Sequence, residues 1–122
     1  MRAFKCTAPG GLAFKDRQTR YVVGEIVEVA DPAPASAGAC ARGLHVAAGV
    51  AQAASFAPAD HLAEAEFFEV EIDSGDVIAK DSEKIRVRRL RVVRRMTEAE
   101  FGIVRGTIGE ALKEYGDGYG YG

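Results

Sequence analysis

The chain has no tryptophan, only two cysteines and four prolines, and no long apolar run. Each scarcity excludes something. Two thiols, Cys6 and Cys40, cannot build the disulfide framework of a small secreted scaffold, and they read as reduced side chains. No stretch approaches the roughly 18–20 apolar residues that cross a bilayer, so no membrane partner is expected. The opening Met1-Arg2-Ala3-Phe4-Lys5-Cys6 lacks the apolar core of a secretory signal. A dominant sign of charge is also missing: 16 Lys and Arg face 18 Asp and Glu, a formal charge of -2. That balance leaves no overall electrostatic footprint for nucleic acid. Gly10-Gly11 and Gly75 do not lead into a helix as a phosphate-cradling loop does, so neither a P-loop nor a dinucleotide fingerprint is present.

What is there fits one small α+β domain over residues 1–115 with a Gly/Tyr-rich tail at 116–122. The expected architecture is a small, mainly antiparallel sheet with one short central helix and one C-terminal helix. Residues 2–14 read as a loose hairpin around Pro9-Gly10-Gly11. Residues 20–29 are rich in β-branched side chains and read as a strand, with Gly24 marking a bulge or a close backbone approach. The 30–39 run holds two prolines and no large side chain, and reads as a loop or flap. Gly43 to Ala47 reads as a short buried strand, Gly49 to Ala57 as a helix, and 65–72 as a strand with Phe68, Val70 and Ile72 on one face. Residues 84–95 read as the longest strand, with a bulge at Arg88-Arg89 where the apolar phase slips. Thr97-Glu98-Ala99-Glu100 is a capping box that opens a helix over 98–115.

Three constellations carry candidate chemistry. Lys84, Arg86, Arg88, Arg89, Arg91, Arg94 and Arg95 form a basic strand. Glu64, Glu66, Glu69, Glu71, Asp73 and Asp76 precede it, so antiparallel pairing sets acids against bases. No aromatic residues interleave the arginines, and nucleic acid is not the expected partner. Cys6, Cys40, His45 and His61 lack the spacing of a zinc site, and no metal or cofactor is expected. Cys40 reads as a small core residue, and His45 as a strand histidine hydrogen-bonded to backbone. On the C-terminal helix, Phe101, Val104, Ile108, Ala111, Leu112 and Tyr115 form an apolar stripe, and Gly102, Gly106 and Gly109 a bare one. That bare stripe, with Tyr115, Tyr119 and Tyr121, is the candidate partner-binding surface.

The run Cys40-Ala-Arg-Gly43-Leu44-His45, with Tyr21-x-Val23-Gly24 before it and Glu69-Val70…Gly75-Asp76-Val77 after it, resembles small uncharacterised proteins of tailed bacteriophages. That resemblance covers roughly residues 20–95 and implies a phage origin rather than an activity. A second likeness is to ADP-ribosyltransferase-like folds, where a strand with a polar residue runs into a helix as His45 runs toward Ala53 and Phe56. It implies His45, with Glu69 or Glu83 and with Arg2 near the first strand, as catalytic candidates. The Ser-Thr-Ser and His-Gly-Thr elements of that group are missing here. The first expectation is therefore a non-enzymatic phage protein, located in the virion or the host cytoplasm, that binds phage structural proteins or itself. The alternative is an ADP-ribosyltransferase-like, NAD-binding enzyme or a host-directed phage effector.

Overall fold

A computed structural model describes the backbone of residues 1–115 and, Pro58 apart, the side chains through Gly106. The fold is α+β, and all strand pairs are antiparallel. The strands divide between two sheets. The larger contains β1 (Arg2–Thr7), β4 (Glu66–Glu71), β7 (Arg89–Arg95) and β2 (Ile26–Glu28), in that order. The smaller has β6 (Ile85–Val87) between β3 (Leu44–Val46) and β5 (Val77–Lys80). Helix α1 (Val50–Ala54) follows β3, and α2 (Glu98–Tyr115) follows β7.

Alternation along β1 and β4 gives the larger sheet two apolar faces. Ala3, Phe68, Val70, Leu90 and Val92 pack with Leu44, Val46, Ile85 and Val87 of the smaller sheet, and Tyr21 joins them. Phe4, Cys6, Phe67 and Met96 pack on the other face under Ala53 and Ala54 of α1 and Phe101 and Val104 of α2. The helix stripe thus covers the back of the sheet, as its period requires. Its capping box is made: the Thr97 N–H donates to Glu100 Oε1 at 2.7 Å, and the Glu100 N–H donates to Thr97 Oγ1 at 3.4 Å. No described helix is long and apolar enough to cross a membrane.

Residues 84–95 are not one strand. The Arg88 slip is the point where the chain leaves the smaller sheet and enters the larger. The bulge lies further on, at Val93, where Val70 faces Val92 but Glu69 faces Arg94. That extra residue turns Arg94 onto the Glu69 side, where its Nε meets Glu69 Oε1 at 3.1 Å and its Nη1 meets Glu100 Oε1 at 3.1 Å. Arg95 likewise faces Glu66 at 3.7 Å, and Arg89 faces Asp76 at 3.8 Å, so acids do stand against bases.

The hairpin expected over 2–14 is absent. β1 pairs with β4 instead, and Pro9–Gly11 is a single 3-10 turn closed by an Ala8–Leu12 bridge. Gly11 is required there: its φ is +76°, and a Cβ would lie 2.4 Å from the Tyr21 carbonyl oxygen. The strand expected over 20–29 shrinks to Ile26–Glu28, because Gly24, at φ +88°, makes a turn with no neighbour near its Cβ position.

Candidate functional site: a basic cleft between the two sheets

The two sheets meet through one bridge, in which Phe4 and Ala47 exchange backbone hydrogen bonds of 2.8 and 2.9 Å. Beside that bridge a cleft of about 510 Å³ opens. Lys5 and Cys6 reach it from β1, and Leu44 and His45 from β3. The Ala13–Tyr21 segment and the Cys40–Gly43 loop form two walls, while Phe56 and Lys84 complete the rim. Its volume is that of a small-molecule site.

The first wall is a compact loop. The Asp16 carboxylate accepts the N–H groups of Gln18 and Thr19 at 2.8 and 3.0 Å and also the Thr19 hydroxyl. Burial works against its charge, but these hydrogen bonds outweigh it and hold the carboxyl below its ordinary value. Asp16 is therefore ionised at neutral pH.

The second wall hangs on Arg86. This side chain is fully buried on the central strand of the smaller sheet, and among the described residues no carboxylate pairs with it. Four carbonyls solvate the guanidinium instead: Ala33 at 2.6 Å, Pro34 at 2.7 Å, Gly38 at 2.8 Å and Arg42 at 2.9 Å. The proline-rich flap is thus pinned down.

His45 makes the expected backbone hydrogen bond: Nε2 donates to the Ala41 carbonyl at 2.8 Å. That places the proton on Nε2 and leaves Nδ1 as an acceptor. Burial, then the charge of Lys5, pushes the imidazole down to about 4, so it is neutral at physiological pH. Lys5 lies beneath it. The Lys5 stem runs along the apolar face shared with Ala3, and its ammonium donates to the His45 carbonyl at 3.0 Å and sits 5.2 Å from the Tyr21 ring centre. Burial pushes Lys5 down to about 8. At the rim, Lys84 Nζ stands 4.9 Å from the Phe56 ring centre and 3.7 Å from Cys40 Sγ, and Lys15 Nζ reaches the Cys40 carbonyl at 3.5 Å. Lys5, Lys15, Arg42 and Lys84 thus outnumber the single lining acid, Asp16.

Of the catalytic and partner-binding candidates read from the sequence, only His45 lines this cleft; Cys6 and Cys40 of the cysteine–histidine set and Lys84 of the basic strand line it as well. Glu69 lies on β4, paired with Arg94 and 3.9 Å from Arg2. Glu83 sits exposed in the turn before β6, its N–H capped by Asp81. Neither glutamate lines the cleft. Cys40, expected in the core, is exposed at the rim, and the buried thiol is Cys6, which burial pushes up to about 12. On α2, a Cβ at Gly102 or Gly106 would meet nothing within 4 Å among the described residues. The surroundings of Gly109, the side chain of Tyr115, and Tyr119 and Tyr121 lie outside the described residues, as does the 116–122 tail. Lys5, Lys15 and Asp16 carry no motif that marks them as site residues, and Lys84 stands out only as part of the basic strand. The one local signal was Lys5 itself, a cation between the apolar Phe4 and Cys6 of β1.

Residues 1–104 match the family described as a domain of unknown function, DUF7666, and the chain belongs to that family. No curated protein and no solved structure matches it.

Proposed function

We propose that this domain binds a small anionic ligand with an apolar or ring portion in the cleft between its sheets. The observation that carries this reading is the convergence of Lys5, Lys15 and Lys84 with Phe14 and Phe56 on one concave site. The lysines supply charge for phosphate or carboxylate, and the rings supply flat apolar walls. Neutral His45 adds a hydrogen-bond acceptor without adding charge. Nucleotides, NAD among them, belong to this ligand class. ADP-ribosyl transfer is less well supported than binding, because Glu69 and Glu83 stand outside the cleft and Asp16 is committed to its own loop. The test is thermal stabilisation by NAD, AMP and pyrophosphate, with adenosine as the uncharged control. A ligand at 100 times its dissociation constant adds about 2.7 kcal/mol. Stabilisation by the anions and not by adenosine supports the reading, and no response to any of them refutes it.

A second reading, a non-enzymatic phage protein that docks a structural partner through α2, is favoured by the open flank at Gly102 and Gly106. Glycines inside a helix cost about 1 kcal/mol each relative to alanine, which a closely approaching partner backbone would offset. Removing residues 116–122 and introducing Gly106→Leu should then weaken incorporation into particles without unfolding the domain. Unchanged incorporation would refute it.

A further inference from the structure

The cleft holds one group whose placement an anion site alone does not explain. Lys15 and Lys84 stand at the rim, one exposed and the other partly so, where a cation loses little hydration. Lys5 instead enters from the apolar face of β1 and ends at the cleft wall, with a carbonyl and a ring as its neighbours and, among the described residues, no carboxylate in ion-pair range. A lysine so placed is the form that proteins use as an amine nucleophile.

We propose that Lys5 captures carbonyl compounds: its Nζ forms a reversible imine with an anionic aldehyde or 2-oxo acid whose charged end is held by Lys15 and Lys84. The proposal rests on the anion-binding reading above and names the ligand's second functional group. The neutral amine attacks the carbonyl carbon, and the C=O π pair moves to oxygen. One proton passes from nitrogen to that oxygen, giving a carbinolamine. The nitrogen lone pair then expels hydroxide to form the C=N bond, and the remaining N–H proton passes to that hydroxide as water. The sum is amine plus carbonyl giving imine plus water, with no change in oxidation state and no further reactant. Hydrolysis reverses it.

The surroundings suit the step. Tyr21, Asp16, Cys6, His45 and Lys84 are the titratable groups around Lys5. Burial dominates and favours the neutral amine, Lys84 adds to it, and Cys6 and Asp16 oppose it.

The test uses the full chain and pyridoxal 5′-phosphate, an anionic ring aldehyde, at one equivalent near pH 7.5. Borohydride reduction fixes any imine as a stable amine for peptide mapping. The result expected is label on Lys5 exceeding that on each of Lys15, Lys80, Lys84 and Lys113 by about ten-fold or more, because the cleft holds the aldehyde against Lys5. Excess pyrophosphate should suppress that label, and Lys5→Gln should remove it. Even labelling of all lysines, or none on Lys5, overturns the proposal. If pyrophosphate still stabilises the protein in that case, the anion-binding cleft survives and only imine capture falls. If pyrophosphate has no effect either, both fall.

Discussion

A Cβ on Gly43 would lie 2.8 Å from Cγ of Arg86 and 3.0 Å from its Cδ. The bare glycine is what lets the arginine stem pass beneath the Cys40–Gly43 wall and reach the flap carbonyls. The Gly-Leu-His run thus has a physical reading. Gly43 makes room for Arg86, Leu44 fills the core and His45 faces the cleft.

Gly43→Ala should therefore destabilise the protein by about 1–3 kcal/mol, the usual cost of overpacking a tight contact. Gly75→Ala is the control, since a Cβ there meets nothing within 4 Å, and it should stay within about 0.5 kcal/mol of the parent. Denaturant unfolding of both variants checks the pair. Equal stabilities would contradict the packing argument.

Arg86→Met should free the flap. It strips four carbonyls of their donor, and a buried acceptor left without a partner costs about 1–3 kcal/mol. Hydrogen exchange should then show residues 31–42 opening well before β4 and β7. A flap as protected as in the parent would show that Arg86 does not hold it.

Lys5→Met should raise stability and weaken anion binding together. The folded-state value near 8 lies below the ordinary lysine value of 10.5, so the unfolded chain takes up its proton first as pH falls. Stability is lost across that window and stays lost at neutral pH, a penalty on the order of 3 kcal/mol. Removing the amine should recover about 1–2 kcal/mol after the lost carbonyl bond and ring contact are counted. A variant that is less stable than the parent at pH 7 would contradict the account of Lys5 as a functional burden on the fold.

His45 predicts the behaviour on the acid side. Its imidazole sits near 4 in the folded protein against an ordinary 6.5, so the unfolded chain again binds the proton first. Stability conferred by neutral His45 is complete above pH 6.5 and falls away as pH drops toward 4, by on the order of 2 kcal/mol. His45→Gln, which retains a donor for the Ala41 carbonyl, should flatten that slope between pH 6.5 and 4. An unchanged slope would assign the acid lability to other groups.

Much of the fold was legible in local pattern. The capping box at Thr97 and Glu100 set the start of α2, and alternation in β4 set which of its side chains face the smaller sheet. The passage of residues 84–95 from one sheet to the other was not legible. A phase slip at Arg88-Arg89 looks the same whether a strand bulges or changes sheets, and only long-range pairing decides. At the site, His45 stood out as one of two histidines. Lys15 looked like an ordinary surface charge, and Lys84 and Arg86 like two more cations on a basic strand. Their roles arise from segments far apart in sequence meeting beside the Phe4–Ala47 bridge, which no local periodicity encodes.

The most direct measurement of the central claim is calorimetric titration of pyrophosphate into the parent protein and into the Lys15→Ala/Lys84→Ala variant, each at low and at physiological salt. Saturable binding to the parent, weaker at higher salt as partly exposed charges are screened and absent from the variant, is the predicted result. No binding to the parent, or equal binding to both proteins, would contradict the assignment of this cleft as an anion site.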